Sequence, residues 1–109
     1  MSTDQQKQKA QNCFKQLRDD ICAAFEAIEQ EYSGPKHTDI NPGTFTYTSW
    51  DRKDDAVENA GGGTMGVMKG RVFEKVGVNI STVHGHFSPE FRARIPGTEE
   101  NPEFWASGI

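Results

Sequence analysis

Along the first third of the chain, apolar residues recur at spacings of three and four: Ala10, Phe14, Leu17, Ile21, Ala24, Phe25, Ile28 and Tyr32. That stripe marks an amphipathic helix. Ser2 stands three positions before Gln5, and Thr3 three before Gln6, so either pair can open the helix with a capping box. Gly34 and Pro35 stop it. The spacing predicts a helix over 4–32 that covers a sheet and buries Leu17, Ile21, Phe25 and Ile28. Its charges oppose the helix dipole, with Lys7, Lys9 and Lys15 early and Glu26, Glu29 and Glu31 late. A tertiary partner for the acidic end is the one account the sequence offers. A partner helix or lipid surface is the competing use of the stripe.

After a Pro- and Gly-containing loop from Ser33 to Gly43, the period shortens to two. Phe45, Tyr47 and Ser49 alternate with Thr44, Thr46, Thr48 and Trp50, which reads as a strand over about 44–50. Asp51 to Asn59 is charged and loop-like. Two further strands are predicted near 63–69 and 71–84, joined by a hairpin turn at Lys69-Gly70 and bent at Gly77. From Val76 on, Val76, Val78, Ile80 and Thr82 form an apolar face that packs inward. Gly77, Asn79, Ser81 and Val83 form a face for water or a cleft. Ser88 and Pro89 start a short helix over about 89–94, and Gly97 to Glu103 is an acidic loop. The class is α+β, an antiparallel β-sheet flanked by helices.

The chain has 109 residues, room for one domain at most. Its apolar fraction of 34% makes a self-sufficient core doubtful. A net charge of −4 argues against nucleic acid or an anionic membrane as partner. No apolar run reaches the length of a membrane span. The N-terminus has no apolar segment of a signal peptide. Asp4 and the lack of arginine before Arg18 argue against a transit peptide, so a cytoplasmic chain is expected. Cys13 and Cys22 are separated by about 13 Å of helical rise on opposite sides, too far for a disulfide. Buried or half-buried thiols are expected.

Chemistry is sparse. Gly61-Gly62-Gly63 suits either an anion-cradling loop or a flexible turn, and lacks the nucleotide fingerprints. His84 and His86 would share a strand face, but a third metal ligand is missing. One hydrogen-bonded and one exposed histidine is the plainer reading. Asp54, Asp55 and Glu58 read as a solvated loop.

The order Trp50, Arg52, a glycine run, Gly70, Phe73-Glu74-Lys75, Gly77-Val78-Asn79, Ser81, Val83 and His84-Gly85 resembles oxygen-dependent coproporphyrinogen III oxidase. That family reads W-x-R, GGGG, then VFEKAGVN-x-S-x-V-x-G. Ala106-Ser107-Gly108-Ile109 is similar to its next segment. Two departures are an insertion at Asp54–Ala60 and Ala60 in place of a first glycine. The resemblance implies that residues 1–109 are the N-terminal portion of a larger catalytic domain. It implies aerobic oxidative decarboxylation of coproporphyrinogen III to protoporphyrinogen IX, with dioxygen as co-substrate, no organic cofactor and a homodimer. A propionate-bearing substrate wants guanidinium and hydrogen-bonding groups beside an apolar wall. Arg52 next to Trp50, with Asn79 and Ser81, are the substrate-binding candidates. The alternatives for them are a surface ion pair for Arg52 and a turn-forming role for Asn79. The family's proton-donor histidine and main substrate serine match nothing here, so no catalytic residue and no metal ligand is assigned. The segment alone is expected to be inactive and poorly folded. Competing functions are a non-catalytic tetrapyrrole- or small-acid-binding module and a helix-mediated interaction protein.

Overall fold

The computed structural model describes residues 2–53, 59–98 and 100–109. In chain order the elements are α1 (Thr3–Glu31), β1 (Thr46–Asp51), β2 (Gly61–Met68), β3 (Val76–His86), α2 (Pro89–Arg92) and β4 (Glu103–Gly108). The four strands form one antiparallel sheet in the order β1-β2-β3-β4. The architecture is α+β, with α1 packed on one sheet face against β3 and β4. Of the two capping boxes open to it, α1 uses Ser2 and Gln5: Gln5 N–H donates to Ser2 Oγ at 3.1 Å and Ser2 N–H to Gln5 Oε1 at 2.9 Å.

Residues paired across an antiparallel ladder share a face. Trp105 lies under Lys7 of α1 at 5.4 Å, and Tyr47 under Arg18 at 5.3 Å, so both point toward the helix. Alternation then assigns Ser49, Thr64, Val78, Ile80, Thr82 and His84 to the helix side. It assigns Thr48, Trp50, Gly63, Met65, Asn79, Ser81, Val83, Phe104 and Ala106 to the opposite side.

The core is small: Cys22, Phe45, Met68 and Val78, with Ile21, Phe25, Phe73 and Val76 packed against it. Phe25 and Phe73 meet edge to face at 4.9 Å. The helix stripe is wider than the contact it makes. Leu17 and Ile28 are 42% and 44% exposed, which corrects their expected burial. Cys13 is exposed and Cys22 buried, and both are free thiols.

The largest departure from the predicted strands lies at 71–75, which belongs to no strand; β3 begins at Val76. The turn is also more than Lys69-Gly70. Glu29, fully buried on α1, draws this loop around its carboxylate. Gly43 and Arg71 N–H groups donate to Oε1 at 2.9 and 2.7 Å. Val72 and Phe73 N–H groups donate to Oε2 at 2.7 and 2.9 Å. Those N–H groups therefore cannot serve a ladder. Burial alone would push the Glu29 carboxyl up; the backbone donors of Gly43, Phe73, Arg71 and Val72 outweigh it and lower its pKa from 4.5 to about 2. A Cβ at position 70 would collide with this carboxylate, so Gly70 is needed for the close approach. The Arg71 guanidinium donates to the Glu29 carbonyl at 2.7 and 2.9 Å and reaches the Gln30 carbonyl at 3.3 Å. It caps the helix end with positive charge. Glu26 accepts from Phe45 N–H at 2.8 Å. The reversed charge order of α1 thus has its tertiary partners.

The remaining corrections are local. The Gly61–Gly63 run is neither an anion cradle nor a turn but the start of β2, paired with Val83, Thr82 and Ser81. The predicted strands omitted β4, which pairs with β3 from Ser81 to His86. Most of the Asp54–Ala60 insertion, positions 54–58, lies outside the described residues; Ala60 is buried.

Candidate functional site

Arg52, Asn79 and Ser81 all belong to the sheet side away from α1. Asn79 and Ser81 follow from the alternation of β3, and Ser81 pairs with Gly63, which pairs with Trp50. A Cβ at Gly63 would sit 2.9 Å from the Trp50 ring, so the absent side chain lets the indole lie against the sheet. Trp50 and Met65 stay 41% and 42% exposed and form an apolar surface beside exposed Asn79 and half-buried Ser81.

Arg52 follows the last residue of β1, and its N–H donates to the Gly61 carbonyl at 2.8 Å. Its side chain crosses β2 where Gly61 offers no obstacle. It donates from Nη1 to the His84 carbonyl at 3.0 Å on β3 and lies over the Phe104 ring at 5.2 Å on β4. The guanidinium is half-buried and spans the sheet rather than extending into solvent. Sequence reading missed Phe104. Its position beside Arg52 follows only from the β3–β4 pairing, and its one local signal was the apolar run Phe104-Trp105-Ala106.

On the helix side, a groove of about 560 Å³ opens between α1 and the sheet, lined by Phe14, Lys15, Thr64, Ile80, Thr82 and Trp105 among others. Thr82 Oγ1 and Ser107 Oγ are hydrogen-bonded there at 2.8 Å. The groove and the sequence-derived Arg52 and Asn79 therefore sit on opposite faces, while Trp50, Gly63 and Ser81 also line the groove. His84 and His86 share the helix side of β3, and His86 Nε2 is 3.4 Å from Glu103 Oε1. Among the described residues, no three His, Cys, Asp or Glu side chains are arranged to hold a metal ion. No described helix is long and apolar enough to cross a membrane.

Residues 9–109 match the family model of coproporphyrinogen III oxidase. The chain is 53% identical over 103 residues to the oxygen-dependent coproporphyrinogen-III oxidase of Rickettsia felis, covering 94% of this chain and 34% of the relative. It is 55% identical over 96 residues to that of Rickettsia bellii, covering 88% and 32%. The protein of the same description from Rickettsia akari is 52% identical over 103 residues. The chain therefore spans about a third of the length of these relatives. No solved structure matches it. A match over nearly all of its residues, at about half identity to several relatives, places this chain in the coproporphyrinogen III oxidase family.

Proposed function

We propose that this chain acts as the N-terminal portion of a larger catalytic domain that converts coproporphyrinogen III to protoporphyrinogen IX with dioxygen. The observation that carries this reading is the family match over residues 9–109. In the proposed reaction each of two propionate arms loses CO₂. The arm also gives up a proton and two electrons, the electrons to dioxygen, and a vinyl group remains. The protein's task is to hold the carboxylate so that it departs in line with the ring π system, and to keep water from the intermediate.

The sheet side away from α1 supports a role in that binding. Gly61, Gly63, Gly85 and Ala106 lie along it, so the pyrrole rings of a flexible tetrapyrrole could approach the backbone closely. Trp50 is its apolar wall. In this reading Arg52 pairs with a propionate, and Asn79 and Ser81 hydrogen-bond the substrate. The catalytic groups lie in the remainder of the domain. The reading includes a cytoplasmic homodimer, dioxygen as co-substrate and no organic cofactor. A net charge of −4 fits a partner other than nucleic acid.

The test is fluorometric product formation under air with the intact protein, for wild type, Arg52→Ala and Arg52→Lys. Loss of a charged partner for a desolvated carboxylate costs about 2–5 kcal/mol, read as a raised KM. Lysine should restore only part, because it lacks the planar fork. Wild-type activity in Arg52→Ala would remove Arg52 from the site. Porphyrinogen binding with no aerobic product from wild type would favour the non-catalytic binding module.

A further inference from the structure

We propose that Gly77 and Gly108 are specificity-determining residues on the sheet side away from α1, where their missing side chains let pyrrole rings of the substrate lie on the strands. The proposal rests on the reading of this chain as part of a domain that binds coproporphyrinogen III.

The four glycines of β2 are required by their neighbours. A Cβ at Gly61 would run into the Thr82 carbonyl, at Gly62 into the Trp50 carbonyl and at Gly63 into the Ile80 carbonyl. At Gly66 it would lie 3.0 Å from the Tyr47 ring. Gly77 and Gly108 are different. Outside the adjoining residues, a Cβ at Gly77 would have the Gly66 carbonyl oxygen nearest, at 4.0 Å, and a Cβ at Gly108 would meet no described atom within 4 Å. Neither position has the positive φ that favours glycine. Glycine inside a strand weakens it, because it packs no side chain and has more backbone freedom to lose. Nothing among the described residues offsets that loss, so the reason for glycine lies in what approaches the strands there.

Both positions belong to one face. Gly77 alternates with Asn79 and Ser81 along β3, and Gly108 on β4 pairs with Ser81. Gly77 and Asn79 are exposed, and Ser81 and Gly108 half-buried. Gly77 and Ser81 are about 13 Å apart along the strand, so the two open spaces are separate and polar side chains stand between them. A pyrrole ring has apolar faces and one N–H at its edge, a donor only. Laid over bare backbone at Gly77 or Gly108, it would bring that N–H toward the side-chain oxygen of Asn79 or Ser81. The rings of a porphyrinogen are joined through saturated carbons and tilt independently, so one ring can take each space. A side chain from the remainder of the domain is the competing occupant.

The experiment measures KM and kcat for coproporphyrinogen III, and thermal unfolding, in the intact protein carrying Gly77→Val, Gly108→Ala or Gly108→Val. Valine suits a strand, so unfolding temperatures should equal or exceed that of wild type. KM should rise about tenfold or more with each valine, as expected for a forced steric overlap. Gly108→Ala should raise it less, and kcat should change less than KM throughout. Gly63→Ala is the contrast: its Cβ meets backbone, so its unfolding temperature should fall. An unchanged KM in the valine variants would overturn the proposal. So would a lowered unfolding temperature in them, which would mean that the protein itself fills the spaces. A wild type that makes no product under air would instead remove the function reading, and the proposal with it.

Discussion

Replacing Glu29 with glutamine tests whether one buried carboxylate joins α1 to the sheet. Glutamine keeps the shape and one carbonyl oxygen, enough for two of the four backbone donors. Its amide nitrogen is a donor, so two N–H groups, Val72 and Phe73 or the Gly43–Arg71 pair, would face another N–H. A buried donor left without an acceptor costs about 1–3 kcal/mol. The pKa gives an independent bound: a fall from 4.5 to about 2 is equivalent to at most about 3 kcal/mol. Water cannot touch Glu29, but its bonds to Arg71, Val72 and Phe73 are only part-buried, so nearby solvent screens the interaction and the true value falls below that ceiling. A loss of about 1–3 kcal/mol at neutral pH is expected by urea titration of the intact protein. The sign with pH follows from the lowered pKa. The stabilisation is present above the unfolded-state pKa of 4.5 and is lost as pH falls through about 2. The gap between wild type and Glu29→Gln should therefore be constant from neutral pH down to about 5 and narrow below it. Equal stability of the two proteins at neutral pH, or a gap that does not narrow in acid, would refute the clasp.

Met68 is fully buried and Leu17 is 42% exposed. Met68→Ala should cost about 2–5 kcal/mol and Leu17→Ala no more than about 1 in the same titration; equal losses would mean the outer stripe of α1 is covered after all. Tyr47 is 48% exposed, yet the neighbouring Cys22 thiol, with partial desolvation, pushes its phenol up to about 12. Tyrosinate absorbance should place it well above an ordinary tyrosine, and Cys22→Ala should bring it down. An unchanged titration would sever that link.

The elements that local pattern defines were legible. Alternation along Val76 to Val83 assigned both faces of β3, and the three-and-four stripe with Ser2 and Gln5 placed α1 to within a residue at each end. What local pattern could not show was residues 71–75. Val72, Phe73 and Val76 have the composition of a strand, yet the N–H groups of Val72 and Phe73 go to a carboxylate 43 and 44 positions earlier in the chain. A local window contains no such partner. One signal was present. Cys22, Glu26 and Glu29 follow at four and three, so both glutamates share the helix face of a core residue, and acidic groups there imply buried donors. The spread of Arg52, Asn79 and Ser81 over one sheet face was half legible. Alternation placed the last two together, whereas the course of Arg52 depends on Gly61 and on β4.

The segment that most specifically carries the family resemblance, Phe73 to Ser81, divides into two physical tasks. Its first part belongs to the clasp. Phe73 gives its N–H to Glu29 and its ring to Phe25, while Glu74 and Lys75 are exposed. Its second part is β3, where Val78 fills the core on one face while Asn79 and Ser81 lie on the other. A shift of β3 by one residue would exchange those faces, burying Asn79 and exposing Val78. Glu29 holds the loop immediately before the first residue of β3 and so helps to fix that register. The carboxylate on the helix side and the polar face on the far side are then linked through strand register. A loosened clasp would displace Asn79 and Ser81, the residues proposed to hydrogen-bond the substrate, even though Glu29 touches neither.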